Sequence, residues 1–145
     1  MADLDVTVRR NHQFITSYVG GGKDATVVWG AQDFKFKNTR KYPIRITATV
    51  QGGVATVQIW GVKEEVEYDI TIETKKIATI PYGIQHIQDA TLPAGQQKVI
   101  QQGNSGSKYE AYKVKRLNGK VVSKTLLSKD TYNAMKKIVH IGPGQ

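Results

Sequence analysis

Between Ile44 and Gly61 the chain reads IRITATVQGGVATVQIWG, and no stretch restricts its fold more. Apolar Ile44, Ile46, Ala48 and Val50 alternate with Arg45, Thr47 and Thr49, the period-two pattern of a strand with one apolar face. The pair Gly52-Gly53 then supplies the positive φ angles of a two-residue hairpin loop. Folding there sets Val50 against Ala55, Ala48 against Val57 and Ile46 against Ile59 on an apolar face. The opposite face pairs Thr49 with Thr56, Thr47 with Gln58 and Arg45 with Trp60, a cation over an indole. Since a shift of one residue would move every apolar side chain to the other face, the register is strongly specified. The hairpin is expected to hide its apolar row.

Similar signals recur along the chain. Phe34 and Phe36 alternate with Lys35 and Lys37, and Pro43 opens the next strand where its missing N–H does least harm. From Val66 to Lys76 the alternation predicts another strand. The run IPYGIQHIQDATLPAG is turn-rich and extended, and KVIQQGNSG is a short strand ending in glycines. Asn118-Gly119 is the strongest hairpin signal, setting Arg116 against Val121, Tyr112 against Thr125 and Lys113 against Lys124. Neither face of that hairpin is continuously apolar, so it is expected to be a largely exposed ribbon. Its facing lysines are expected to splay into water or to be relieved by an anionic ligand. The segment from Ser128 to Val139 suits a helix or a strand, and Gly142, Pro143 and Gly144 end the ordered chain.

Composition limits function more than it assigns it. Lys and Arg number 21 against 12 acidic residues, a net charge of +9 that attracts polyanions such as nucleic acid, anionic wall polymers or acidic lipid surfaces. Without cysteine there is no disulfide, thiolate metal site or thiol nucleophile. No apolar run is long enough to span a bilayer, and MADLDVTVRR lacks the pattern of a secretory signal. GGGKDAT superficially suggests a phosphate loop, but Ser17 and Asp24 stand where that motif needs Gly and Ser/Thr, so a flexible turn is expected. His12, His86 and His140 are too dispersed for a zinc signature, and His86 near Asp89 reads as a surface residue. No serine occupies a Gly-x-Ser-x-Gly turn, and the acidic cluster Glu64 to Asp69 is ordinary strand surface. Neither catalytic residues, a metal nor a cofactor is expected.

These residues also carry family resemblance. The run NHQFITSYVGGGKDATVVWGAQDFKFKNTRKYPIRITATVQGGVATVQIWG, from Asn11, resembles the C-terminal part of the VanW-like family, whose glycine-rich GGGICQ-type segment it lacks. The remainder resembles the five-glycine (G-five) domain of Gram-positive surface proteins, with Gly95, Gly103, Gly106, Gly119 and Gly142 as its glycines. The resemblance implies an all-β chain: a small VanW-like β module over 1–63, then an elongated, nearly coreless single-layer β ribbon over 64–145. It also implies adhesion and binding of N-acetylglucosamine-containing cell-wall glycan, and an extracellular parent of which this chain is a C-terminal excerpt beginning at an added Met1. Some family members assemble through zinc, but those contacts do not map onto this sequence.

The leading expectation is therefore a non-enzymatic module that binds peptidoglycan. Sugars are held by aromatic faces and by polar side chains beside them, which selects Tyr109 and Tyr112 with Asn104, Ser105 and Ser107. Basic charge would add attraction to anionic wall polymers. A second reading is a structural or adhesive stalk that self-associates through strand edges. A third, nucleic-acid binding by KYEAYKVKR and MKKIVH, has stacking tyrosines among lysines but no RNP-like or cold-shock motif.

Overall fold

The computed structural model describes residues 3–144; Met1 and Gln145, the outer bounds of the two expected segments, lie outside them. Ten strands account for all its regular structure: β1 (Asp5–Val8), β2 (Lys35–Lys37), β3 (Ile44–Gln51), β4 (Val54–Gly61), β5 (Asp69–Ile80), β6 (Ile84–Gln88), β7 (Gln97–Gln101), β8 (Gly106–Leu117), β9 (Lys120–Tyr132) and β10 (Lys137–Ile141). The fold is all-β. Among the described residues the segment Ser128–Val139 holds the end of β9 and the start of β10 and no helix. The strand expected from Val66 begins at Asp69 and continues to Ile80.

The chain forms two compact units that interleave along the sequence. The first comprises residues 3–10, Thr26–Glu73 and Tyr112–Thr125; the second comprises Asn11–Ala25, Thr74–Ala111 and 126–144. Strands β5, β8 and β9 contribute residues to both and are hydrogen-bonded in the order β5-β8-β9.

In the first unit, β3 and β4 pair antiparallel in the register anticipated from the glycine pair, from Gln51↔Val54 through Ala48↔Val57 to Ile44↔Gly61. Gly52 and Gly53 have φ of 57° and 77°, the type I′ geometry whose twist matches its strands. The apolar row itself is not buried: Ile46, Val50, Val57 and Ile59 are all exposed, and every residue of β4 is exposed. β3 and β4 form a two-stranded sheet, and periodicity defines a face without supplying anything to cover it. Opposite Arg45, Trp60 turns its indole N–H to Thr47 Oγ1 at 3.3 Å.

The two lysines expected to face each other in the Asn118-Gly119 hairpin, Lys113 and Lys124, each have carboxylate partners. Lys113 Nζ meets Asp3 at 3.2 Å and Asp5 at 2.8 Å, and Lys115 Nζ meets Asp3 at 2.5 Å. Burial opposes the charges of Asp3 and Lys113, yet hydrogen bonds from Lys115 and then Lys113 lower the Asp3 pKa, and those to Asp5 and then Asp3 raise that of Lys113. Lys124 and Arg116 share Glu73 at 2.9 and 2.6 Å. β8 is a central strand, not an exposed ribbon edge, so Val114 is 1% exposed, and Ile70 of β5 joins it in the interior of this unit. Ahead of β5, Arg40 pairs with Glu67 at 2.5 Å and Glu64 at 3.5 Å, holding the segment between β4 and β5 in place.

In the second unit β10 is the centre of a mixed sheet, parallel to β6 and antiparallel to β7. Val139, Ala111 and Tyr132 are its buried apolar residues.

Candidate functional site

The expected glycan-binding residues divide between environments. Tyr109 and Tyr112 are three apart on β8, so they point to opposite faces. The Tyr109 ring packs on Gly21, where a Cβ would come within 2.6 Å of it, and meets Tyr132 edge-to-face at 5.9 Å. The Tyr112 ring carries the Lys124 ammonium 4.9 Å from its centre. Ser107 is 3% exposed, with no hydrogen-bond partner for its Oγ, so it faces the interior. Asn104 is exposed and Ser105 half-buried.

What covers Tyr109 is the glycine-rich loop Asn11–Ala25, which is packed rather than a flexible turn. Gly21 and Gly22 are buried, and a Cβ on Gly22 would meet Thr74 Cγ2 at 3.1 Å. Asp24 organises the loop. It accepts from the backbone N–H of His12 at 2.7 Å, lies 2.7 Å from His12 Nδ1, and accepts from the hydroxyl of Tyr132. That hydroxyl in turn accepts from Gly22 N–H at 2.7 Å. Burial works against the Asp24 charge, but the hydrogen bonds from Tyr132 and His12 hold its pKa below the ordinary value. Burial, and then the carboxylate, push the Tyr132 hydroxyl up to about 12. The motif that fails as a phosphate loop is a polar lock.

Asp89 is also taken, by His140 and not by its near neighbour His86. His140 Nδ1 lies 2.8 Å from its carboxylate, and Thr91 donates to the same group from its hydroxyl at 2.5 Å and its N–H at 3.0 Å. The Thr91 and His140 hydrogen bonds bring Asp89 down to about 2.

An aromatic platform does exist, at a residue that sequence pattern did not select. Tyr82 lies flat on Gly103: a Cβ there would collide with three atoms of the ring. With one face so seated, Tyr82 still keeps 42% of its surface exposed. Main-chain bonds bring three segments together around it. Lys137 N–H donates to Gly83 O at 2.9 Å, and Asn104 and Met135 exchange N–H···O bonds of 2.9 and 2.8 Å. Gln101 Nε2 donates to Lys136 O at 2.7 Å. The exposed side chains of Gln102, Asn104 and Lys136 therefore belong to the same neighbourhood as the ring. The glycine spacing held a signal for this: a glycine between two amide residues, Gln102-Gly103-Asn104, leaves space for an aromatic ring.

The other family glycines also answer to geometry. Gly95 and Gly119 take φ of 74° and 78° in turns. Gly106 lies against the backbone of residues 132–134 and Gly142 against the carbonyls of Leu92 and Pro93, leaving no room for a Cβ.

Residues 71–144 match the family model described as "G5 domain", and residues 1–60 match that described as "VanW like protein". Over 59 residues the chain is 39% identical to "Uncharacterized protein YoaR" of Bacillus subtilis (strain 168), a match spanning 41% of this chain and 20% of that protein. The chain thus spans about a fifth of that relative's length. Among solved structures it is similar to "IgA1 Protease G5 domain structure", with 22% identity and a TM-score of 0.37 over 56% of this chain and 98% of the other. It is also similar to "Crystal structure of HP0197-G5", with 28% identity and a TM-score of 0.31 over 51% and 99%. These families are of cell-surface and cell-wall-associated proteins. Matched across half its length, the chain belongs to the G5 domain family and carries a VanW-like region ahead of that domain.

Proposed function

We propose that this chain is a non-enzymatic cell-wall module that binds N-acetylglucosamine-containing glycan, such as peptidoglycan, with the exposed face of Tyr82 as its stacking platform. The observation that carries this reading is the seating of the Tyr82 ring on Gly103 in a residue that stays exposed. A fixed aromatic face meets the apolar face of a sugar without first losing rotamer freedom, so less ordering cost is charged against the contact. Gln102 and Asn104 supply amide donors and acceptors for hydroxyl and acetamido groups. In this proposal Asn104 contacts the glycan, while Ser105 stands beside it and Tyr109 packs against the glycine-rich loop. The +9 charge, with Lys136 near the ring, adds salt-sensitive attraction to anionic wall polymers. The assignment of 1–63 and 64–145 as the two functional segments is part of the same proposal.

The test is an amide-shift titration of the chain with soluble peptidoglycan fragments, with an oligonucleotide at matched salt as control. Saturable shifts at Tyr82, Gly83 and Gln101 to Asn104, lost in Tyr82→Ala and kept in Tyr82→Phe, are the expected result. Shifts confined to Tyr112 and its neighbours, or a response to the oligonucleotide alone, would overturn it.

A further inference from the structure

We infer that the outer edge of β4 is a strand-pairing site for a second copy of this chain, joining two hairpins into a continuous four-stranded antiparallel sheet about a two-fold axis at Val57. The inference is independent of the glycan reading, since none of its residues belongs to the Tyr82 neighbourhood.

Three observations carry it. First, among the described residues β4 pairs only with β3, and all eight of its residues are exposed, so its other edge presents unpaired main-chain groups to solvent. Second, that edge lacks the devices by which sheet proteins protect themselves. VATVQIWG contains no charge and no proline in a chain of net charge +9, whereas β3 carries Arg45 and is immediately preceded by Pro43. Uncharged strands can lie against their own copies without placing like charges opposite each other. Third, the exposed apolar row is continuous across the hairpin in the register Ile46↔Ile59, Ala48↔Val57 and Val50↔Ala55.

The hairpin's own register selects how two copies would pair. In a two-residue hairpin the pair flanking the turn, here Gln51 and Val54, is hydrogen-bonded, and bonded pairs then alternate with non-bonded ones. Ala55, Val57 and Ile59 therefore sit in non-bonded pairs and turn their N–H and C=O groups to the outer edge. These same three residues form the apolar face. A two-fold axis at Val57 pairs Val57 with its own copy, and Ala55 with Ile59 of the other, satisfying the outward groups and setting a small side chain beside a large one. Trp60 then faces Val54 of the other copy on the opposite side. Registers that shift by one residue would place the apolar row of one copy beside Thr56 and Gln58 of the other. The outer β3 strands of such a dimer keep Arg45 and follow Pro43, and a two-fold pairing of β4 edges closes at two copies.

The experiment is sedimentation velocity of the full chain over a wide concentration range, alongside Val57→Lys and Val57→Pro. A concentration-dependent monomer–dimer equilibrium is expected, weakened at least about tenfold by either variant. Val57→Lys sets two ammonium groups opposite each other at the axis. Val57→Pro removes an N–H that points outward and takes no part in the β3–β4 ladder, so the hairpin tolerates it. Circular dichroism that matches the parent in either variant establishes that folding is retained. A chain that stays monomeric at every concentration, or a dimer that neither folded variant weakens, overturns the inference.

Discussion

The phenolic hydroxyl of Tyr132, at the end of β9, donates to the carboxylate of Asp24 across 108 residues of sequence and accepts from the backbone N–H of Gly22. One buried hydroxyl thereby serves as donor and acceptor for a single loop. Removing it takes the acceptor from Gly22 N–H and one of several donors from Asp24, which keeps its bonds to His12. Tyr132→Phe is expected to destabilise the second unit by about 1–3 kcal/mol, chiefly because a buried carboxylate and a buried amide lose a partner. Chemical denaturation of the variant against the parent measures this, and an unchanged midpoint would refute the lock.

Acid should weaken the same loop. The Asp24 pKa is lower in the fold than its ordinary value of 3.8, so folding favours the carboxylate and its contribution is fully present above that value. It is lost as pH falls below 3.8 toward the folded value. Thermal melts across this range should show a steep decline that Asp24→Asn flattens, at the cost of lower stability at neutral pH.

Alkali acts through the partner. The Tyr132 hydroxyl is raised from 10.0 to about 12, so the fold favours its neutral form. That contribution is complete below pH 10 and disappears as pH rises through about 12. In Tyr132→Phe the alkaline component of the pH profile should be absent, and tyrosinate absorbance near 295 nm should lose its latest-titrating phase.

Two glycines should respond differently to the same substitution. At Gly142 an added Cβ meets the main-chain carbonyls of Leu92 and Pro93, which cannot swing aside. Gly142→Ala is expected to cost several kcal/mol, at the upper end of overpacking effects. At Gly103 the obstacle is the Tyr82 ring, a side chain able to rotate away. Gly103→Ala should lower the melting temperature less, while weakening the proposed glycan binding about as much as Tyr82→Ala. Paired melts and titrations separate the two cases.

Much of the local structure was legible in the residues themselves. Period-two alternation around Gly52-Gly53 and Asn118-Gly119 defines hairpins because side-chain direction and turn conformation are set by neighbours within a few positions. The pairing of β3 with β4 agrees with that expectation pair by pair. Only tertiary structure decided what each face meets. The apolar row of β3 and β4 lies open, whereas the mixed face of β8 is covered. Lys113 finds Asp3 and Asp5, His140 pairs with Asp89 while His86 stays exposed, and the glycine loop packs on Tyr109. Each of these contacts joins residues far apart in the chain, and no periodicity or spacing encodes which distant carboxylate or ring will arrive. The aromatic platform followed the same division: Gly103 was evident as a family glycine, but only the folded chain could bring Tyr82 onto it.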